Sequence, residues 1–266
     1  MFFLNRLLLV MVLLPALAGA QVTGVHEIRV AAAADLSAAM QKLASVFEKQ
    51  TGTRVSVSLG SSGNFFAQIT NGAPFDVFLS ADKSYPEKLD QSGLAEPGTI
   101  ALYARGKLAI WWLNSVHLEL QPKNLQSGTG GLDSLKSPEI HRIAIANPEH
   151  APYGRAAIAA LQHYGIYESA KPKLVLGENI SQTAQFAQSG NADVAFIALA
   201  LALSDAMKDK GQFLLLPESS YPPLDQAAVV VRSSPNKQQA RRFVQFLTSP
   251  EGQKILSDFG FGAPQK

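Results

Sequence analysis

The 266-residue chain has no cysteine. Disulfide staples, thiolate nucleophiles and Cys-based metal sites are therefore excluded, and stability must come from a buried core, of which a chain this long can build one or two. Net charge is nearly absent as well, since 23 Lys and Arg face 21 Asp and Glu. So even a balance offers no basic stripe for nucleic acid. The five histidines are scattered, and none falls in a zinc-ligand spacing. Past residue 20 no apolar run reaches the ~20 residues that cross a bilayer. Internal repeats and low-complexity tracts are also missing.

The amino terminus is richer. Arg6 precedes an apolar run, Leu7 to Leu14, followed by Pro15 and the small-residue ending Ala18-Gly19-Ala20. A positive start, an apolar middle and an A-x-A site make a signal peptide over residues 1–20, removed after Ala20. No cysteine stands near that site to be acylated, so no lipid tether is expected. Losing Arg6 lowers the formal charge from +2 to +1.

Apolar strand candidates recur at Ile28–Ala32, Val55–Ser58, Val77–Leu79, Ile100–Tyr103, Leu108–Leu113, Ile143–Ile145, Leu174–Leu176, Val194–Ile197, Phe213–Leu216 and Ala227–Val231. Helical patterns lie between many of them, at Leu36–Gln50, Phe65–Asn71, Gly154–Tyr164, Ser181–Gln188 and Lys237–Leu247. In the first, Leu36, Met40, Leu43, Val46 and Phe47 trace one face at spacings of three and four. Such alternation predicts an α/β fold with parallel sheets covered on both faces. Two lobes suit the length better than one sheet of ten strands. The expected division is 21–105 with 226–266 against 106–225, with crossings near Ala104–Lys107 and Ser220–Asp225 and a ligand cleft between the lobes. Residues 121–132, with Gly128, Gly130 and Gly131, read as a surface loop; no Gly-Lys-Ser/Thr follows to cradle phosphate.

Two strand-to-helix turns carry the chemistry. "AAAADLSAAM" (31–40) brings small residues to a helix start, an anion-favouring place, yet holds an acid, Asp35. "LGSSGNFF" (59–66) sets Gly60-Ser61-Ser62-Gly63 between a strand and a helix, where O–H and N–H donors meet. These serines read equally as helix caps. The nucleophile spacing G-x-S-x-G is absent, which disfavours a hydrolase on Ser61 or Ser62.

With "GSSGNFFAQITNGAPFDVFLSAD", "PEKLDQSGLAEPGT", "IANPEHAPYG" and "LTSPEGQKILSDFGF", the chain resembles the substrate-binding proteins of molybdate ABC importers, a type II periplasmic binding protein family. The resemblance spans almost all of the mature chain. It implies two Rossmann-like lobes joined by a two-crossing hinge, a periplasmic location, and no enzymatic activity or cofactor. It further implies molybdate or tungstate as ligand, a membrane permease as partner, and a monomer. Its ligand contacts fall on Ala34 and Asp35, on Ser62, on Tyr153 and on the backbone N–H of Ile180. All are neutral donors, with no cation coordinated directly. Many members have a serine at Asp35 and a tyrosine at Ala198; here Tyr153 is expected to supply the phenol from the other side of the cleft.

An ionised carboxylate has no proton for an oxyanion, so Asp35 is expected to cap its helix while its backbone N–H faces the ligand. A carboxylate turned inward would favour a cationic or protonated ligand. A relative of the same fold that takes another oxyanion or a small carboxylate remains the alternative. His150 is expected to be solvated and Arg155 to lie on a solvent face or clamp an anion. Asp76 and Asp82 read as strand-end and turn acids, and Trp111-Trp112 as packing residues.

Overall fold

The computed structural model describes residues 26–118, 120 and 132–265. The signal segment and most of the loop expected at 121–132 lie outside them. Among the described residues no helix is long and apolar enough to cross a membrane.

Two five-stranded sheets organise the chain. The first contains β1 (Glu27–Ala33), β2 (Arg54–Gly60), β3 (Val77–Ser80), β4 (Ala101–Gly106) and β10 (Leu224–Val230), in the order β2-β1-β3-β10-β4. The second contains β5 (Leu108–Leu113), β6 (Ile143–Ala146), β7 (Leu174–Gly177), β8 (Val194–Ala198) and β9 (Gly211–Leu215), in the order β7-β6-β8-β5-β9. The chain passes from one sheet to the other at Lys107 and returns through 216–223. Each sheet with its helices forms one lobe.

The sheets are mixed, which corrects the expectation of parallel ones. β1, β2 and β3 are parallel, as are β6, β7 and β8, but β10 runs antiparallel to β3 and β4, and β5 antiparallel to β8 and β9. The cause is the double crossing. A strand entering a lobe from its neighbour starts at the cleft side, where the lobe's own βα units end, and so runs opposite to them.

In the first lobe, strand alternation sends successive residues of β1 to opposite faces. Ile28, Val30 and Ala32 meet α1 (Ser37–Thr51), α8 (Lys237–Thr248) and α9 (Pro250–Asp258), with Phe47, Phe243 and Phe246 in mutual ring contact. Ala31 on the other face joins Phe65 and Ile69 of α2 (Ser62–Thr70) and Leu89 of α3 (Ser84–Gln91). The second lobe packs α4 (Pro152–His163), α5 (Tyr167–Ala170), α6 (Ile180–Gln188) and α7 (Leu199–Ala202) around its sheet. Trp111 is fully buried there, and Trp112 nearly so, as packing residues. The second lobe's core is continuous across the cleft with Ala33, Ala34 and Ala81 of the first, so the lobes are closed on each other.

Candidate functional site

The C-terminal ends of the parallel strands in both lobes face the cleft, and each feeds a helix start there. Ser62 is the first residue of α2, Tyr153 the second of α4 and Ile180 the first of α6, while Ala34 and Asp35 form a single 3-10 turn ahead of α1. First-turn backbone N–H groups have no partner within their own helix. Convergent helix starts therefore surround the cleft with donors and a positive dipole field.

Between them lies a small cavity lined by Ala34, Asp35, Ser62, Ala81, Tyr153 and Ile180 among others. All five residues expected at the site are thus brought together, from both lobes and from four separate turns. The cavity volume is only about 10 Å3. Pockets for drug-sized molecules span ~300–1,000 Å3, so this chamber suits an ion rather than a sugar, peptide or nucleotide. No lysine or arginine lines it.

Ser62 is set up to donate. Its Oγ accepts the Ala81 N–H at 3.0 Å, which leaves the hydroxyl proton free to turn into the cavity. Neighbouring Ser61 is the cap of α2 and accepts from the Asn64 N–H. Asn179 caps α6 by accepting from Ser181 and Gln182, and so orients the turn that presents Ile180.

Asp35 overturns the capping expectation: neither the 3-10 turn nor α1 has a side-chain cap. Its buried Oδ2 instead accepts the Tyr153 hydroxyl at 3.0 Å and the Gln226 amide at 2.5 Å, while Oδ1 has no hydrogen-bond partner. The carboxylate turns inward because its polar partners lie there, Gln226 on β10 and Tyr153 on α4. Burial raises the Asp35 carboxyl to about 6, and Gln226, Tyr153 and the backbone N–H groups of Asp35 and Leu36 restrain the rise. Tyr153 is pushed well above 10, first by burial and then by the Asp35 charge, so it remains a phenol. Its hydroxyl crosses the cleft as expected, but here the proton is given to Asp35. Ala198 is fully buried at the end of β8 and lies outside the cavity lining.

Two further residues, Gln226 and Gly106, complete this network. Gln226 of β10 is fully buried, and its Oε1 accepts the Tyr103 hydroxyl at 2.8 Å. A glutamine inside the apolar run "DQAAVVV" was the available signal, because a buried amide must find partners. Gly106 gives the network room, since a Cβ there would stand 2.2 Å from the Tyr153 hydroxyl.

Contacts around the rim close the mouth. Arg155 lies outside the cavity with its side chain partly exposed, and it bridges the cleft: its Nη2 pairs with Asp82 Oδ2 at 2.7 Å, and Nη1 donates to the Tyr85 hydroxyl at 3.3 Å. His150 is likewise not solvated. Its Nδ1 meets Ser61 Oγ at 2.8 Å and its Nε2 lies 3.7 Å from Glu178, which also accepts from Asn64. This Ser–His–Glu line ties the lobes together, with Ser61 already serving as a helix cap. Gly63 donates its N–H to the His150 carbonyl at 2.9 Å, and Ser181 Oγ donates to the Ala34 carbonyl at 2.8 Å. Asp76, by contrast, is structural, accepting from the Arg29 N–H and the Ser234 hydroxyl. Among the described residues no cluster of His, Asp and Glu could hold a metal ion.

Two α/β lobes with a two-crossing hinge, closed over an ion-sized chamber of neutral donors, define the class as a type II solute-binding protein. The model of the bacterial extracellular solute-binding proteins matches residues 28–262, and the chain belongs to that family. It is 37% identical over 248 residues to the molybdate-binding protein ModA of Rhodobacter capsulatus, covering 93% of this chain and 90% of that one. It is 38% identical over 236 residues to ModA of Azotobacter vinelandii, covering 89% and 90%. The solved periplasmic molybdate-binding protein of Azotobacter vinelandii superposes with a TM-score of 0.80 at 36% identity, over 90% of this chain and all of that one.

Proposed function

We propose that the protein is a periplasmic receptor for molybdate, and for tungstate by the same chemistry, which it delivers to the permease of an ABC importer. The observation that carries this reading is the cavity itself, an ion-sized space bounded by Ser62, Tyr153 and the first-turn amides at Ala34, Asp35 and Ile180. A hydrogen bond to a charged group contributes ~1.5–3 kcal/mol, so several neutral donors suffice for a dianion without a lysine or arginine. In this reading the residues grip the oxide oxygens and never the metal. The protein acts as a monomer, has no cofactor and no catalytic role, and its signal segment is removed after Ala20. Residues 21–105 with 226–266, and 106–225, move as the two bodies that open and close.

Identities of 37% and 38% to two molybdate-binding proteins support this ligand over the other anions a neutral cavity of this size could hold. Thermal unfolding in the presence of molybdate, tungstate, sulfate, phosphate and small carboxylates tests it. A ligand bound only by the native state raises the melting temperature by mass action. Micromolar molybdate and tungstate should do so and sulfate should not; stabilisation by a carboxylate alone would defeat the reading.

A further inference from the structure

The oxyanion reading leaves one wall of the cavity unaccounted for, because a dianion would lie against the Asp35 carboxylate. The group is fully buried, lines the cavity, and already has Oδ2 occupied by Tyr153 and Gln226, whereas its buried Oδ1 has no partner. Every side chain packed against it is uncharged. α4 offers Tyr153, β10 offers Gln226 and β4 offers Tyr103, with Tyr221 behind Tyr153. At the rim, Arg155 is committed to Asp82, and His150 lies between Ser61 and Glu178. Among the described residues no cation lines the cavity to offset a carboxylate and a dianion enclosed together.

We propose that Asp35 takes up a proton from solution each time an oxyanion is captured, so that its Oδ1–H becomes a further donor to the ligand. The proposal rests on the oxyanion reading of the site. The balance is simple: a dianion and one proton enter, the carboxylate becomes a carboxylic acid, and the complex holds two negative charges rather than three. Burial has already lifted this carboxyl to about 6 before any anion is present. A like charge beside it lifts it further, since proximity disfavours the ionised form. The free protein near pH 7.5 is then mainly ionised at Asp35 and the complex is not. Linkage sets the sign: affinity is full below about 6 and falls about tenfold per pH unit as pH rises from there towards the higher value of the complex. Asp35 thereby determines specificity, since it serves anions that bring no proton of their own.

Calorimetry on the whole mature chain with molybdate tests this, because that anion carries no proton between pH 6.5 and 8.5. Titrations at pH 7.5 in two buffers of different ionisation heat should show uptake of about one proton per molybdate. The Kd should weaken about tenfold per pH unit over the range. Asp35→Asn keeps a neutral donor in place and should abolish the uptake and flatten the pH profile. His150→Gln removes the imidazole at the rim of the cavity, and uptake should persist whatever its affinity. Molybdate binding by the wild type with a flat profile and no uptake would overturn the proposal while leaving the oxyanion reading intact. So would loss of the uptake in His150→Gln. If neither the wild type nor Asp35→Asn binds molybdate at any pH, or if hydrogen phosphate binds instead with no uptake, the molybdate reading falls and the proposal with it.

Discussion

Asp35 works against the stability of the protein that contains it. A carboxyl raised from 3.8 to about 6 is at its most favourable below 3.8, and that advantage is lost as pH rises through about 6. Two pH units correspond to about 3 kcal/mol, an upper bound on the penalty of burying the ionised group. Asp35→Asn should therefore stabilise the unliganded protein by ~1–3 kcal/mol at pH 7.5, with the gain vanishing near pH 4; denaturant titrations at the two pH values measure it. Ser62 is the opposite case, a hydroxyl whose free proton has no structural duty. Ser62→Ala should weaken molybdate binding about tenfold to a hundredfold, far more than Ser61→Ala or Arg155→Ala, as calorimetry would show. Tyr153→Phe should cost a similar factor and also lower the unliganded melting temperature at pH 7.5, because it strips a hydrogen bond from the buried Asp35 carboxylate. At this scale the sequence exposed the donors but not their company. Asp35 and Gln226 stand 191 positions apart, so only the folded β10 reveals that the acid is held rather than capping.

The elements that build the site are helix starts, and their placement depends on glycines as much as on donors. A Cβ on Gly63 would stand 2.7 Å from the His150 carbonyl and 2.8 Å from its Cα, so α2 touches the opposite lobe backbone to backbone. Gly63→Ala should fold normally but fail to close, losing at least tenfold in affinity at an unchanged unliganded melting temperature. Stopped-flow fluorescence should assign that loss mainly to faster release. All ten expected strands and all five expected helices are present, because apolar runs and the 3.6-residue spacing report burial directly. Four helices carry no such pattern: the single turns α5 and α7, and the longer α3 and α9. "SYPEKLDQ" has few apolar residues, and "PEGQKILSD" carries a proline and a glycine, although Ser249 as cap and Pro250 at the first position are favourable starts. The direction of β10 was also illegible, since composition records that a strand is buried and not which way it runs.

At the scale of the molecule the closed form is held by small, separable contacts. Arg155–Asp82 and His150–Glu178 are part-exposed pairs, each worth at most about 1 kcal/mol. Arg155→Ala combined with Glu178→Ala should shift the unliganded protein towards an open form, seen as a larger radius of gyration in X-ray scattering, with molybdate restoring the compact value. The crossings themselves are built differently. β4 and β10 are ladder partners up to Leu224 opposite Gly106, and Arg105 grips Asp225 through Nε at 2.9 Å and Nη2 at 2.7 Å. Both links between the lobes therefore emerge from one hydrogen-bonded ribbon. A ribbon flexes readily about an axis in its plane but resists shear and splaying, since those would break the ladder. The lobes are thus confined to something near a single swing, like a door on a leaf hinge. The donors proposed on the two bodies would then return to register on every closure, and the search for the bound arrangement becomes one-dimensional.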